Sequence, residues 1–393
     1  MSEQPTPSER PYAGFEQGPI RPPSEAESLL IRVTRNCPWN RCTFCPVYKD
    51  HEFSRRPVEH VIRDLDAVWF YTKNLRERLD AGNDPESDLE DVLRFTAQAH
   101  DLLDLPAFQA ACHWLSHGEQ RSVFLQDANS LAGKPADLLF ILRHLKQRFP
   151  EVKRVTSYAR SATITRIAGE NLLAMCEAGL NRIHVGLESG ADEVLQRVQK
   201  GVTKAKHIEA GTLIKAAGME LSEYYMPGLG GREFSRQHAL ESADALNEID
   251  PHFIRLRSLA IPGGTPLHEQ WIAGEFEPCN DIELVEETGQ FLDRLDGITS
   301  RIRSDHILNL FQDLEGTYPA DKGRLLGIGQ RFLALPGAEQ RLYRVGRRLG
   351  LFLGLDDLDD PHRRALAEAG LRQLGVTATN CDQVLSDLMR RFV

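Results

Sequence analysis

Ser28-Leu29-Leu30-Ile31-Arg32-Val33-Thr34-Arg35-Asn36-Cys37-Pro38-Trp39-Asn40-Arg41-Cys42-Thr43-Phe44-Cys45 is the stretch on which the reading of this chain turns. Its first half is a short apolar run with β-branched residues, the pattern of a buried strand. Its second half is a polar loop carrying three cysteines at the spacing C-x4-C-x2-C. Three clustered thiolates suit a soft metal or an iron–sulfur cluster. A four-iron cluster held by only three thiolates keeps one iron open to a small molecule, so such a site can be catalytic. Zinc is the alternative, with His51 six residues past Cys45 as a fourth ligand.

Outward from this stretch, strand-like and helix-like segments alternate. Further strands are expected at Ser122–Gln126, Val152–Tyr158, Arg182–Leu187, Met219–Tyr225 and Phe253–Leu259. Helices are expected over 57–79, 136–148, 169–178, 191–199, 204–217, 235–248 and 282–296. A strand every roughly 30 to 40 residues, each followed by a helix, indicates βαβ units and a parallel sheet. Right-handed crossovers then curl six strands into an α/β, partial (β/α)6 TIM-like barrel. Past residue 300 no clear strand is expected. The tail reads as all-helical, over 305–314, 321–334, 338–353, 361–373 and 380–391. The expected organisation is a flexible lead-in over 1–27, a barrel core over 28–300 with a polar and helical insertion at 81–120, and a helical region over 301–393.

With 393 residues and 41% hydrophobic content, the chain can bury one large barrel and an appendage. A net charge of −10 weighs against a protein that grips nucleic acid mainly by neutralising phosphates. Of seven cysteines, Cys112, Cys176, Cys279 and Cys381 are scattered, which is not a disulfide framework. No apolar stretch approaches the roughly 18 residues of a membrane span. The expectation is a reduced, cytoplasmic, soluble protein.

The cysteine loop after the first strand, Phe44 just before the third cysteine, and the six βα units resemble the radical S-adenosylmethionine (SAM) superfamily. The likeness is to its Elongator-, MiaB- and NifB-type core. The spacing common there is C-x3-C-x2-C; this chain has one residue more in the first gap and the same number of ligands. A second stretch carries the resemblance further. Val185-Gly186-Leu187-Glu188-Ser189-Gly190, Gln199-Lys200-Gly201-Val202-Thr203 and Met226-Pro227-Gly228-Leu229-Gly230-Gly231 are similar to the fourth and fifth βα units of that domain. The resemblance covers about 28–275, and 300–335 loosely.

The resemblance implies a [4Fe-4S] cluster on Cys37, Cys42 and Cys45 with SAM as second cofactor. It further implies a small electron donor of flavodoxin or ferredoxin type, and generation of a 5′-deoxyadenosyl radical that abstracts hydrogen from a substrate the sequence does not name. Glu188 and Ser189, at a strand end, are then candidates for ribose hydroxyls; as plain chemistry they also suit a helix cap. Gln126, Asp127 and Asn129 stand where relatives bind the methionine ammonium, although this chain lacks their glycines; an Asx-turn loop is the ordinary alternative. Ser157 and Arg160 follow the third strand, and Arg160 suits the methionine carboxylate or a surface salt bridge. Pro262 and Gly263 resemble the adenine-side segment, and a simple turn would use the same residues.

Arg303 to Asn309 resembles a segment that follows the barrel in several radical SAM proteins. His306 and Asn309, read as one helical face, are candidate catalytic residues. His113 and His117, and the arginines at 341, 344, 347 and 348, read as ordinary solvated helix faces. The competing function is a non-enzymatic zinc or iron–sulfur protein with a structural or electron-transfer role.

Overall fold

The structure is a computed structural model and describes residues 11–80, 104–117 and 121–389. The chain forms two compact units. The first comprises Met1–Pro38, Asp50–Ile183 and Ala216–Met219; the second comprises Trp39–Lys49, His184–Lys215 and Glu220–Val393. The fold is α/β, a partial barrel built from parallel strands and covering helices, followed by a helical C-terminal region.

In the first unit, β1 (Leu29–Arg32), β4 (Ser122–Gln126) and β5 (Arg154–Ala159) lie parallel, with Leu29 opposite Val123 and Ser122 opposite Arg154. Every residue of β4 is buried, as a central parallel strand covered on both faces requires. Two short strands, β2 (Thr34–Arg35) and β3 (Ser54–Arg55), pair antiparallel. They close the base of the cysteine loop, so the loop starts and returns at a fixed point. The helices α1 (Val58–Asp80) and α2 (Leu105–His117) pack on β1, and α3 (Pro135–Arg148) packs on α1. α2 realises the helical part of the expected 81–120 insertion; residues 81–103 and 118–120 lie outside the described residues. His113 and His117 on α2 bond the backbone carbonyl oxygens of Ala26 and His113.

β6 (Leu180–Glu188) begins in the first unit and ends in the second. In the second unit β7 (Glu220–Tyr225), β8 (Phe253–Leu256) and β9 (Arg301–Arg303) run parallel, and β10 (Gly316–Thr317) joins β9 antiparallel. The helix Asp281–Arg294 shows how local sequence sets a boundary. Asn280 accepts from the amides of Ile282 and Glu283, and Glu283 returns a bond to the Asn280 amide, a complete capping box. Val285, Phe291 and Leu292 make its buried stripe.

Four expectations need correction. Residues 11–27 are not a loose lead-in: Phe15 is buried, and Glu16 lies within 3.3 Å of the guanidiniums of Arg32, Arg35 and Arg56. The Gln126 amide holds the backbone of Gly18 and Ile20. Secondly, the sheet continues past residue 300 through β9. Thirdly, 305–314 is irregular and not a helix. Side chains there compete with helical bonding: Ser304 donates to the Phe311 carbonyl, and Asn309 reaches back to Leu256 and Ser258. The carbonyls of Ile307, Leu308 and Asn309 accept from Arg347 and Arg348. Those arginines, with Arg344, are buried staples and not the solvated stripe expected from sequence. From Lys322 onward the tail is helical as expected, over Lys322–Leu333, Gly337–Arg348, Pro361–Gln373 and Cys381–Met389. No helix among the described residues is long and apolar enough to cross a membrane.

Candidate active site

The loops at the C-terminal ends of parallel barrel strands are where such folds carry chemistry. In the first unit that end is dense in polar groups. Asp127, fully buried, accepts from the Arg32 guanidinium at 2.7 Å and from the Asn36 amide, next to Cys37, at 3.2 Å. Gln126 is taken up by the N-terminal arm. Asn129 donates to Thr163 Oγ1 at 2.7 Å and so ties the loop after β4 to the one after β5. Its Oδ1 is buried with no hydrogen-bond partner. Ser157 donates to the Leu125 and Tyr158 carbonyls. The Arg160 carbonyl starts the short helix Ser161–Ile164 by accepting from Thr163 and Ile164.

In the second unit the segment Trp39–Lys49 is anchored at several points. Trp39 Nε1 donates to the Gln199 carbonyl at 2.7 Å. The Thr43 amide donates to Val198, and the Thr43 carbonyl accepts from Leu267. Phe44 packs against an apolar cluster that includes Ala191, Leu229, Leu259 and Leu267. Cys42 and Cys45 stand one turn apart, with the Cys45 amide donating to the Cys42 carbonyl at 3.4 Å. Lys49 Nζ donates to the carbonyls of Asn40 and Cys42 at 3.2 and 3.0 Å. Cys37, Cys42 and Cys45 are all partly exposed, unlike the buried Cys381. Cys42 and Cys45, two partly exposed sulfur donors on one braced segment of the second unit, have the chemistry an iron–sulfur cluster takes.

Gly201 shows how closely the loop is seated. Its φ is +71°, and a Cβ there would fall 2.3 Å from the Trp39 ring. A Gly201→Ala variant strains its own backbone and pushes Trp39 off its support. We expect it to keep at most half of the wild-type iron after anaerobic reconstitution and desalting; unchanged iron content would show that the Trp39 seat is dispensable.

Glu188 ends β6 in the left-handed region, with φ +62°, a conformation few side chains other than glycine adopt without cost. Its carboxylate pairs with Lys200 at 3.1 Å, and its carbonyl accepts from the Met226 amide. Ser189 is turned away into a support network. Its hydroxyl accepts from the Ala191 amide and lies 2.8 Å from His238 Nδ1; His238 Nε2 meets the Met226 carbonyl at 2.9 Å. Burial pushes the His238 imidazole below its ordinary proton affinity, although Glu287 and the Met226 carbonyl act the other way. Glu287 accepts from Tyr225, Gly228 and Ser235. Sequence reasoning missed Lys200, Glu223, His238 and Glu287 as members of this region. The Met-Pro-Gly-Leu-Gly-Gly turn was the available signal, since its buried amides need acceptors.

Pro262 and Gly263 form an open turn: the Pro262 carbonyl accepts from Thr265 Oγ1, and the space over Gly263 is empty. A cavity of about 530 Å³ in this unit is lined by Gly228, Leu259, Ile261, Trp271 and Arg344, among others. His306 is held at about 4 by burial first and the Arg257 cation second, and its Nδ1 accepts from the Leu308 amide. It is a neutral imidazole at pH 7. Asn309 is buried, and its amide group is spent on Ser258, Leu256 and Ser304. That makes it a brace for the end of β8.

Residues 31–243, more than half of the chain, match the sequence pattern of the Radical SAM superfamily. The chain belongs to that superfamily. It is an enzyme of the radical SAM type, with a [4Fe-4S] cluster and SAM as its cofactors. Among curated relatives, it is 22% identical over 280 residues to the tRNA uridine(34) acetyltransferase of Methanocaldococcus jannaschii, covering 68% of this chain and 49% of that protein. It is 27% identical over 197 residues to the 4′-phospho-dehydrooxetanocin synthase of Priestia megaterium, covering 49% of this chain and 22% of that protein. The chain thus spans half or less of the length of these relatives. Among solved structures, coproporphyrinogen III oxidase from Escherichia coli aligns at 14% identity and TM-score 0.43, over 68% of this chain and 52% of that one. Methylornithine synthase aligns at 14% identity and TM-score 0.42, over 71% and 65%.

Proposed function

We propose that this radical SAM enzyme cleaves SAM reductively, with Cys37, Cys42 and Cys45 as the three protein ligands of the cluster. The observation that carries the reading is the braced loop: three partly exposed thiols, two of them on a turn whose carbonyls are clamped by Lys49. When bound, the cofactors supply one-electron scission of the C5′–S bond, giving methionine and a 5′-deoxyadenosyl radical that takes a hydrogen atom from the substrate. The protein positions, orients and excludes water. Asn129 Oδ1 offers an acceptor to the methionine ammonium, with Asp127 and Gln126 fixing the loop behind it. Arg160 is the candidate for the methionine carboxylate. Glu188 serves the ribose, with Ser189 and Ser157 shaping the strand ends. Pro262 and Gly263 leave backbone bare for a flat ring, and Phe44 walls the loop.

His306, neutral at pH 7, is our candidate for substrate contacts, with Asn309 bracing the end of β8 beside it. The radical reaction needs a reductant, for which we assign a small flavodoxin- or ferredoxin-type donor. The test is anaerobic: protein reconstituted to about four irons per chain is incubated with SAM and dithionite. Accumulation of 5′-deoxyadenosine and methionine is expected. A cluster-loaded protein that leaves SAM intact would end this proposal.

A further inference from the structure

At the C-terminal end of β8 the second unit presents a guanidinium without a counter-charge. Leu256 and Ser258 face the helices, since both line a small cavity with Val285 and Leu292 of the helix Asp281–Arg294. Side chains alternate along a strand, so Arg255 and Arg257 stand on the opposite face of the sheet. The ladder holds Arg257 in register past the strand proper: its amide donates to the Tyr225 carbonyl, and the Leu259 amide donates to Pro227. Arg257 is exposed, and its guanidinium has no carboxylate or hydrogen-bond partner among the described residues.

The same face carries more cations than anions. Arg255 lies opposite Arg303 of β9, and Phe253 lies opposite Arg301. Arg255 pairs with Asp305, while Arg301 and Arg303 share Glu315. Four guanidiniums thus meet two carboxylates, both already engaged, in a chain whose formal net charge is −10. Arg347, spent on the carbonyls of Ile307 and Asn309, adds a further cation beside His306. Like charges side by side on a sheet repel, and an anion bound among them relieves that repulsion.

His306 completes the donor set. Burial first and the Arg257 cation second keep its imidazole neutral. The Leu308 amide donates to Nδ1 at 3.3 Å, so the neutral ring carries its proton on Nε2. That N–H has no acceptor among the described residues. With Nδ1 spent, neither side chain can accept a hydrogen bond, which excludes an ammonium ligand. A planar guanidinium fork and an imidazole N–H together suit an oxyanion.

We propose that Arg257, together with the His306 Nε2–H, is the recognition site for a carboxylate or phosphate group carried by the substrate. This rests on the reading of these strand ends as the reaction chamber. SAM also carries a carboxylate, for which Arg160 in the first unit is the separate candidate.

The experiment uses the full-length, anaerobically reconstituted protein. It is titrated calorimetrically with inorganic phosphate and, separately, with acetate, against sodium chloride at equal ionic strength. Wild type is compared with Arg257→Gln, His306→Ala and Arg372→Gln, the last removing an equal charge from an exposed position on the helix Pro361–Gln373. Each protein is also titrated with SAM and with 5′-methylthioadenosine, which lacks the carboxylate. The expected result is saturable binding of at least one anion by wild type, weaker by at least about tenfold in Arg257→Gln and about threefold in His306→Ala. Arg372→Gln is expected to match wild type, and both nucleosides are expected to bind all four proteins alike. The preferred anion tells phosphate from carboxylate, and either preference supports the site. A loss in Arg257→Gln for SAM but not for 5′-methylthioadenosine would give the guanidinium to the cofactor and overturn the substrate assignment. Absence of saturable anion binding by wild type, wild-type affinity in Arg257→Gln or His306→Ala, or an equal loss in Arg372→Gln would overturn the proposal outright. If Arg257→Gln fails to fold, Arg257→Lys keeps the charge without the fork; weaker anion binding is expected there, and wild-type affinity would count against the site. The 5′-deoxyadenosine assay is independent: its failure removes the radical reaction and leaves the anion result standing.

Discussion

Cys42→Ala protein, reconstituted with iron and sulfide under anaerobic conditions, yields 5′-deoxyadenosine no faster than the protein-free control. The substitution is chemically narrow. Cys42 meets Lys49 and the Cys45 amide through its carbonyl, which alanine retains. The loop keeps its course and only the sulfur is lost. Removing a mere supporting partner of a metal ligand typically costs about 10–100-fold in affinity or activity. Removing a ligand from a set of three costs more than about 100-fold, and no other thiol is positioned in that segment to replace it. Cys279→Ala is the matched control. Its thiol is pushed up to about 12, by burial first and Glu287 second, so it is a poor ligand, and its loss leaves iron content unchanged. A Cys42→Ala protein that holds wild-type iron and stays within tenfold in turnover would refute the ligand assignment.

The second large effect concerns the helical tail. Asp281, buried at the start of its helix, accepts from Arg344 at 2.9 Å and from Arg348 at 2.6 Å. Arg344 also pairs with Asp382, and Arg348 donates to the Leu308 carbonyl. Asp281→Asn leaves the Arg348 cation buried without a counter-charge. Breaking a buried pair from one side costs about 3–5 kcal/mol, measurable as a lowered denaturation midpoint.

The pH dependence carries its own signature. Burial raises the Asp281 proton affinity, but Arg348 and Arg344 outweigh it and hold the carboxyl at about 2. A depressed folded value gives stability that is fully present above the unfolded value of about 3.9 and is lost as pH falls through the folded one. Wild type therefore loses on the order of 2–3 kcal/mol between about pH 5 and pH 1 that Asp281→Asn does not lose. Parallel acid titrations of the two proteins would contradict this account.

Much of the barrel was legible because parallel strands buried on both faces are written as continuous apolar runs; Ser122–Gln126 is matched residue for residue. The cysteine loop was legible because its chemistry is local. β9 was not. Arg301-Ile302-Arg303 has a single apolar residue, and its strand character comes from pairing with Phe253–Arg255 and not from its own composition. The irregular stretch after it was read as helix because its anchors, Arg347 and Arg348, lie some forty residues downstream. The same holds for Glu287, which takes the Gly228 amide from 59 residues downstream, and for His238, which joins the Met226 carbonyl to Ser189, 49 residues upstream of it; a polar residue on a helix carries no mark of the partner it will find. At the candidate site, residue types were readable and their partners were not. Asp127 and Gln126 stand where expected, yet they spend themselves on Arg32, Asn36 and the N-terminal arm.

That arm has a practical side. Glu16 is the shared counter-ion of Arg32, Arg35 and Arg56; Arg32 also pairs with Asp127 and Arg56 with Asp64. Proteolytic trimming that takes away Glu16 removes one negative charge shared by three guanidiniums, of which Arg35 stands two residues before Cys37. Such trimmed material should be retained more strongly than the intact protein on heparin and phosphocellulose resins.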